Sequence, residues 1–97
     1  MPQTPRLGEP QIEAALATLP GWARRGGAIE REFTLASFVE AIRFVGAVAE
    51  EAERLEHHPD IDIRYRRVTM RLSTHASGGI TALDVELARR IDFAAAR

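Results

Sequence analysis

Apolar positions along this chain switch between a helical period of 3.6 and a strand period of 2, and the switches predict seven elements. Ile12, Ala15, Leu16 and Leu19 share one helical face, so a short helix runs from about Pro10 to Thr18. Pro10 suits a first helical position, and Pro20-Gly21 stops the helix. Trp22–Arg25 reads as a strand, Gly26-Gly27 as a turn and Ala28–Leu35 as a second strand. In that strand Ile29, Arg31, Phe33 and Leu35 point one way and Glu30, Glu32 and Thr34 the other. Arg31 on the apolar side is the one conflict, met by letting it snorkel at the sheet edge.

Ser37-Phe38-Val39-Glu40 has the form of a capping box and opens the longest predicted helix, about Phe38 to Glu56. Phe38, Ala41, Ile42, Val45, Val48, Ala49, Ala52 and Leu55 give it a broad apolar stripe. Phe44 falls off the centre of that stripe and is expected at an oligomer contact. Pro59 ends the helix and drives His58 to an extended conformation. Ile61, Ile63 and Tyr65 then alternate with Asp62 and Arg64, and a turn at Arg66-Arg67 leads into a further strand. There Val68, Met70, Leu72 and Thr74 alternate with Thr69, Arg71, Ser73 and His75. Gly78-Gly79 breaks the strand, and Thr81-Ala82-Leu83-Asp84 caps a last helix to about Ala95, with Leu83, Leu87, Ala88, Ile91 and Ala95 facing the core. Trp22 and Tyr65 read as core aromatics. The order α-β-β-α-β-β-α predicts an α+β class: a four-stranded antiparallel sheet with helices packed on one face. Residues 1–9 read as a flexible arm and residues 10–97 as a single domain.

Composition narrows the function. The chain has 97 residues, 45% apolar and 28% charged, which is globular and leaves only a modest core. Self-association is a common way to add buried area. A formal net charge of -1 gives no general electrostatic case for nucleic acid or an anionic membrane. There is no cysteine, hence no disulfide or thiolate chemistry. No apolar run nears the roughly 18 residues of a membrane span. Met1–Pro10 lacks the apolar stretch of a secretory signal, so the expected location is the cytoplasm.

All three histidines fall in two short segments, Glu53-Arg54-Leu55-Glu56-His57-His58-Pro59 and Ser73-Thr74-His75. Imidazole is the side chain that exchanges protons near neutral pH, so segments that converge would make a proton-transfer site. Glu53 and His57 are four apart and meet if both are helical, in which case the carboxylate orients the ring. The plain alternative is a solvated acidic helix end, since Glu50, Glu51 and Glu56 lie in the same stretch. Glu53, His57, His58 and His75 are numerous enough for zinc, yet their spacing matches no chelating motif, and no metal is expected. Ser73 and Ser77 lack a nucleophile-elbow context, and Gly78-Gly79 is a plain turn rather than a phosphate loop.

Glu53-x3-His57-His58-Pro59, then Tyr65, His75 and Asp84 at their spacings, resembles the pattern of the pterin-4a-carbinolamine dehydratases. Gly21-Trp22, Ile29-x-Arg31-x-Phe33, Phe44, Leu72-x-Thr74-His75, Gly78-Gly79 and Leu87-Ala88 extend the likeness over about residues 8–93. Leu35 and Ile61 depart from it, each standing where the family often has an aromatic; the second change is expected to alter a wall of the pterin pocket. The resemblance implies dehydration of 4a-hydroxytetrahydropterin to quinonoid dihydropterin, recycling the cofactor of aromatic amino-acid hydroxylases. It implies His57 and His75 as the acid/base pair, His58 as a substrate contact and Glu53 as the group that orients His57. Glu56–His58 and Ser73–Ala76, hence Glu56, His57, His58, Ser73, Thr74, His75 and Ala76, would line the pterin pocket. Asp84 is expected to serve mainly as a helix N-terminal carboxylate. No cofactor is implied, and the implied assembly is a homodimer or homotetramer. The competing expectation is a non-catalytic assembly module of the same fold.

Overall fold

The structure, a computed structural model, describes residues 4–96. Its elements follow the predicted order: α1 (Glu9–Ala17), β1 (Ala23–Arg25), β2 (Ala28–Thr34), α2 (Phe38–Leu55), β3 (Asp60–Arg64), β4 (Arg67–Leu72) and α3 (Ala82–Ala96), with a 3-10 turn at His75–Ser77 before α3. The four strands form one antiparallel sheet in the order β1-β2-β4-β3. Ile29, Phe33, Val68, Met70 and Leu72 project from one sheet face into a core shared with Val48 and Phe44 of α2 and Leu87 and Ile91 of α3. The opposite face carries Glu30, Glu32, Thr69 and Arg71, so the helices cover one side only.

Each helix starts where its caps dictate. The Ser37 hydroxyl accepts from the Glu40 N–H at 3.1 Å, but the Glu40 carboxylate turns to Arg43, so only half of the expected capping box forms. At α3 both halves form: Thr81 Oγ1 accepts from the Leu83 N–H, and the Asp84 carboxylate accepts from the Thr81 N–H.

Several expectations are corrected. Phe44 is 5% exposed and packs on Phe33 with ring centroids 4.9 Å apart, so it belongs to the core. The exposed apolar residues of α2 are Phe38, Val39 and Ile42 instead. Arg31 does not snorkel at an edge, because β2 is an interior strand. Its guanidinium stacks on Phe33 at 4.5 Å and donates to Asp92 Oδ1 at 2.9 Å, the oxygen that also accepts from Trp22 Nε1. Gly21 makes room for it: φ there is +90°, and a Cβ would lie 2.7 Å from Arg31 Nε.

The second hairpin turns one residue earlier than predicted, at Tyr65-Arg66, since Arg64 pairs with Arg67. Tyr65 is therefore not in the core. It stands at the tip, 71% exposed, with φ 57°. His75 is not on a strand either, because β4 ends at Leu72 and the chain closes through a Thr74–Gly79 bridge.

The arm expected over residues 1–9 is only partly described, residues 1–3 lying outside the described span. Within that span it is tied down. The Leu7 N–H donates to the Ile80 carbonyl at 2.8 Å, Arg6 bridges Thr81, and the Ser77 hydroxyl donates to the Thr4 carbonyl. Helix α1 then begins at Glu9.

Candidate active site

Two chain reversals bring the histidine segments together. Helix α2 closes at Glu56, which adopts the left-handed conformation (φ 50°, ψ 40°), and the His57 N–H returns to the Ala52 carbonyl at 3.0 Å. That reversal turns His57 inward, where it is 9% exposed, while His58 stays at the surface. On the other side the Thr74–Gly79 bridge pinches the chain into the short turn that holds His75 outward.

Between them lies a cleft of about 520 Å³. Glu56, His57, His58, Ser73, Thr74, His75 and Ala76 all line it, so the fold brings the two segments to one cleft. Thr4, Ser77 and Leu83 complete the wall, and the sequence patterns had not marked them for it. Ile61 is not part of this wall; it borders a separate concavity on the open sheet face. That concavity is larger, about 620 Å³. Most of its charges, however, are met by one another: Arg71 by Glu30 at 3.5 Å, Arg64 by Asp62 at 3.1 Å and Arg67 by Glu32 at 3.7 Å. No imidazole lines it.

The carboxylates are paired differently from expectation. Glu53 does not orient His57. It lies against His58, with Glu53 Oε2 and His58 Nε2 2.5 Å apart and both side chains largely exposed. His57 is held by Asp84, whose Oδ1 lies 2.5 Å from His57 Nε2. Asp84 is completely buried and does more than cap α3. Its Oδ2 accepts from the Thr81 N–H and from the Thr74 hydroxyl, each at 2.9 Å.

A buried carboxylate that receives a backbone N–H, a hydroxyl and an imidazole N–H is satisfied as an acceptor on both oxygens. With Nε2 committed to Asp84, Nδ1 is the ring atom of His57 left for a ligand in the cleft. The His75 ring, exposed on its turn, has no hydrogen-bond partner among the described residues. The cleft thus offers one clamped imidazole, one exposed imidazole backed by a carboxylate, and one free imidazole. That set can donate one proton and accept another without a metal or cofactor. Among the described residues no group of three or more His, Asp or Glu side chains is placed to hold a metal ion.

The family model described as Pterin 4 alpha carbinolamine dehydratase matches residues 5–94. A candidate pterin-4-alpha-carbinolamine dehydratase of Mycobacteroides abscessus is 54% identical over 86 residues, covering 89% of this chain and 92% of its own. One from Nocardia farcinica is 54% identical over 89 residues, covering 92% of this chain and 94% of its own. A solved structure described as a transcriptional coactivator/pterin dehydratase from Brucella melitensis superposes with a TM-score of 0.90 at 38% identity, over 93% of this chain and 98% of that one. A pterin dehydratase-like protein described as a RuBisCO assembly factor of the alpha-carboxysome shares the fold, with a TM-score of 0.63 at 21% identity over 76% of this chain and 86% of that one.

Proposed function

This chain belongs to the pterin 4 alpha carbinolamine dehydratase family, and we propose that it dehydrates a 4a-hydroxytetrahydropterin to the quinonoid dihydropterin. The observation that carries the reading is the convergence of His57, His58 and His75 on one cleft, with His57 clamped by a buried Asp84.

The reaction breaks the C4a–O bond, removes the N5 proton and forms the C4a=N5 double bond, with loss of one water. Hydroxide leaves poorly, so an acid must protonate the 4a-oxygen while a base takes the N5 proton. His57 and His75 supply that acid and base between them. Asp84 holds the His57 ring in place through Nε2. His58, held by Glu53 at the rim, contacts and polarises the pterin. Glu56 and Ser73–Ala76 offer polar wall groups to the heterocycle. The product is the quinonoid dihydropterin, from which a separate two-electron reduction would regenerate the tetrahydropterin cofactor of the aromatic amino-acid hydroxylases.

The reading includes a cytoplasmic location and a homodimer or homotetramer. Among the described residues no helix is long and apolar enough to cross a membrane. Assembly is supported by exposed Phe38, Val39 and Ile42 on α2, and by exposed Ile61 and Ile63 on β3, which is an edge strand.

The test is to generate 4a-hydroxytetrahydropterin and follow its loss with and without the protein. Saturable acceleration over the spontaneous rate supports the reading. Saturable pterin binding with an unchanged rate would replace it with a non-catalytic assembly module.

A further inference from the structure

Two buried threonine hydroxyls stand behind the Asp84–His57 pair, and the order of their protons can be worked out. Thr81 is fully buried and is not part of the cleft wall. Its Oγ1 accepts from the Leu83 N–H at 3.2 Å and lies 2.8 Å from Thr74 Oγ1. Thr74 Oγ1 lies 2.9 Å from Asp84 Oδ2. A carboxylate only accepts, so the Thr74 proton goes to Asp84, and each hydroxyl has a single proton. Thr74 can then contact Thr81 only as an acceptor, and the Thr81 proton goes to Thr74. The chain runs one way: Leu83 N–H to Thr81, Thr81 to Thr74, Thr74 to Asp84. With the Thr81 N–H on the same Oδ2, that oxygen receives two donors, and Oδ1 is left to receive Nε2–H of His57.

We infer that Thr81 is a positioning residue for the proton-transfer step: its hydroxyl, through Thr74, holds and polarises Asp84, the carboxylate that keeps the proton of neutral His57 on Nε2 and leaves Nδ1 for the cleft. This rests on the dehydratase reading only for its kinetic consequence, since the tautomer exists with or without the reaction. Hydrogen bonds in a water-poor chain polarise one another, so a hydroxyl two links away still acts on the ring. Thr81→Val keeps the shape and removes the first hydroxyl, so Thr74 still donates to Asp84 but no longer receives the proton that polarises that bond.

The experiment reads the ring nitrogens by NMR of the full chain with 15N-labelled histidine, above the pH at which imidazole is protonated, beside steady-state kinetics. Wild type is expected to show His57 protonated at Nε2 with an unprotonated Nδ1 resonance. Thr81→Val is expected to keep that tautomer, to shift the Nε2–H resonance of His57 and to lower kcat about tenfold at unchanged KM, and Thr81→Ser to restore both. Ser37→Ala removes the comparable cap of α2 and should lower thermal stability while leaving the Nε2–H resonance and kcat as in wild type. If Thr81→Val does not fold, Thr74→Val removes the next link with the α3 cap intact and carries the same spectral expectation. Neutral His57 protonated at Nδ1 in wild type, or hydroxyl-deleted variants with the wild-type Nε2–H resonance and kcat, would overturn the inference. A shifted Nε2–H resonance in variants of a protein that never accelerates carbinolamine loss would uphold it and remove the dehydratase reading instead.

Discussion

His57 Nε2 and Asp84 Oδ1 meet at 2.5 Å in the interior, joining the end of α2 to the first turn of α3. Asp84→Asn is the sharpest perturbation of this contact. The amide keeps its oxygen toward the Thr74 and Thr81 donors, so its NH2 faces Nε2 and forces the ring to accept there. The expected outcome is a fall in kcat of roughly 10²–10⁴-fold with little change in KM. Loss of hydrogen bonds to a charged group should also cost about 1.5–3 kcal/mol of stability. Steady-state kinetics and urea denaturation check the two parts separately.

Glu53→Gln should do far less. The Glu53–His58 pair is exposed on both sides, and such pairs contribute about 0–1 kcal/mol. We expect no more than about a fivefold change in kcat/KM and no resolvable change in the urea midpoint. A loss as large as that of Asp84→Asn would return the orienting role to Glu53.

The contrast between these two carboxylates shows where sequence reading reaches and where it stops. The element order and the histidine cluster were legible, because periodicity and spacing are local. The Glu53–His57 pairing assumed that the helix continues through residue 57. It ends at Leu55, and left-handed Glu56 swings His57 away from the Glu53 face. A positive φ at a glutamate leaves no mark in sequence. Asp84 was visible within the motif and as a helix-start carboxylate, but its second oxygen serves a ring 27 positions away. Phe44 was misplaced because alanines fill much of the buried face of α2 (Ala41 and Ala52), while larger side chains lie on the exposed flank. The strand pattern through His75 failed because the Thr74–Gly79 bridge, not alternation, decides the chain path there.

Phe44→Ala should cost about 3–5 kcal/mol, since it empties a site between α2 and Phe33. Ile42→Glu, on the exposed flank of the same helix, should leave the fold intact by circular dichroism. If that flank and β3 mediate assembly, wild type sediments as a dimer or tetramer at micromolar concentration and Ile42→Glu shifts it toward monomer. A monomeric wild type would contradict the assembly part of the account.

Tyr65 should be replaceable with profit. It takes φ 57° at the first residue of a two-residue hairpin loop, and Arg66 does not take a positive φ. That sign pattern belongs to a type II′ turn, whose first central position favours glycine. Tyr65→Gly should add about 1 kcal/mol, raising Tm by roughly 4–8 °C in a calorimetric scan. An unchanged or lowered Tm would show that the tyrosine ring stabilises the tip by more than its backbone costs.

The central claim is that this cleft moves protons for carbinolamine dehydration, and the rate of that reaction tests it most directly. Wild type, His57→Ala, His75→Ala and the double variant should be compared on freshly generated 4a-hydroxytetrahydropterin. The account predicts catalysis by wild type, losses of about 10²–10⁴-fold for each single variant, and a double variant only slightly worse than either, as for residues that act as a unit. A wild type no faster than the spontaneous reaction, or a double variant as fast as wild type, would contradict it.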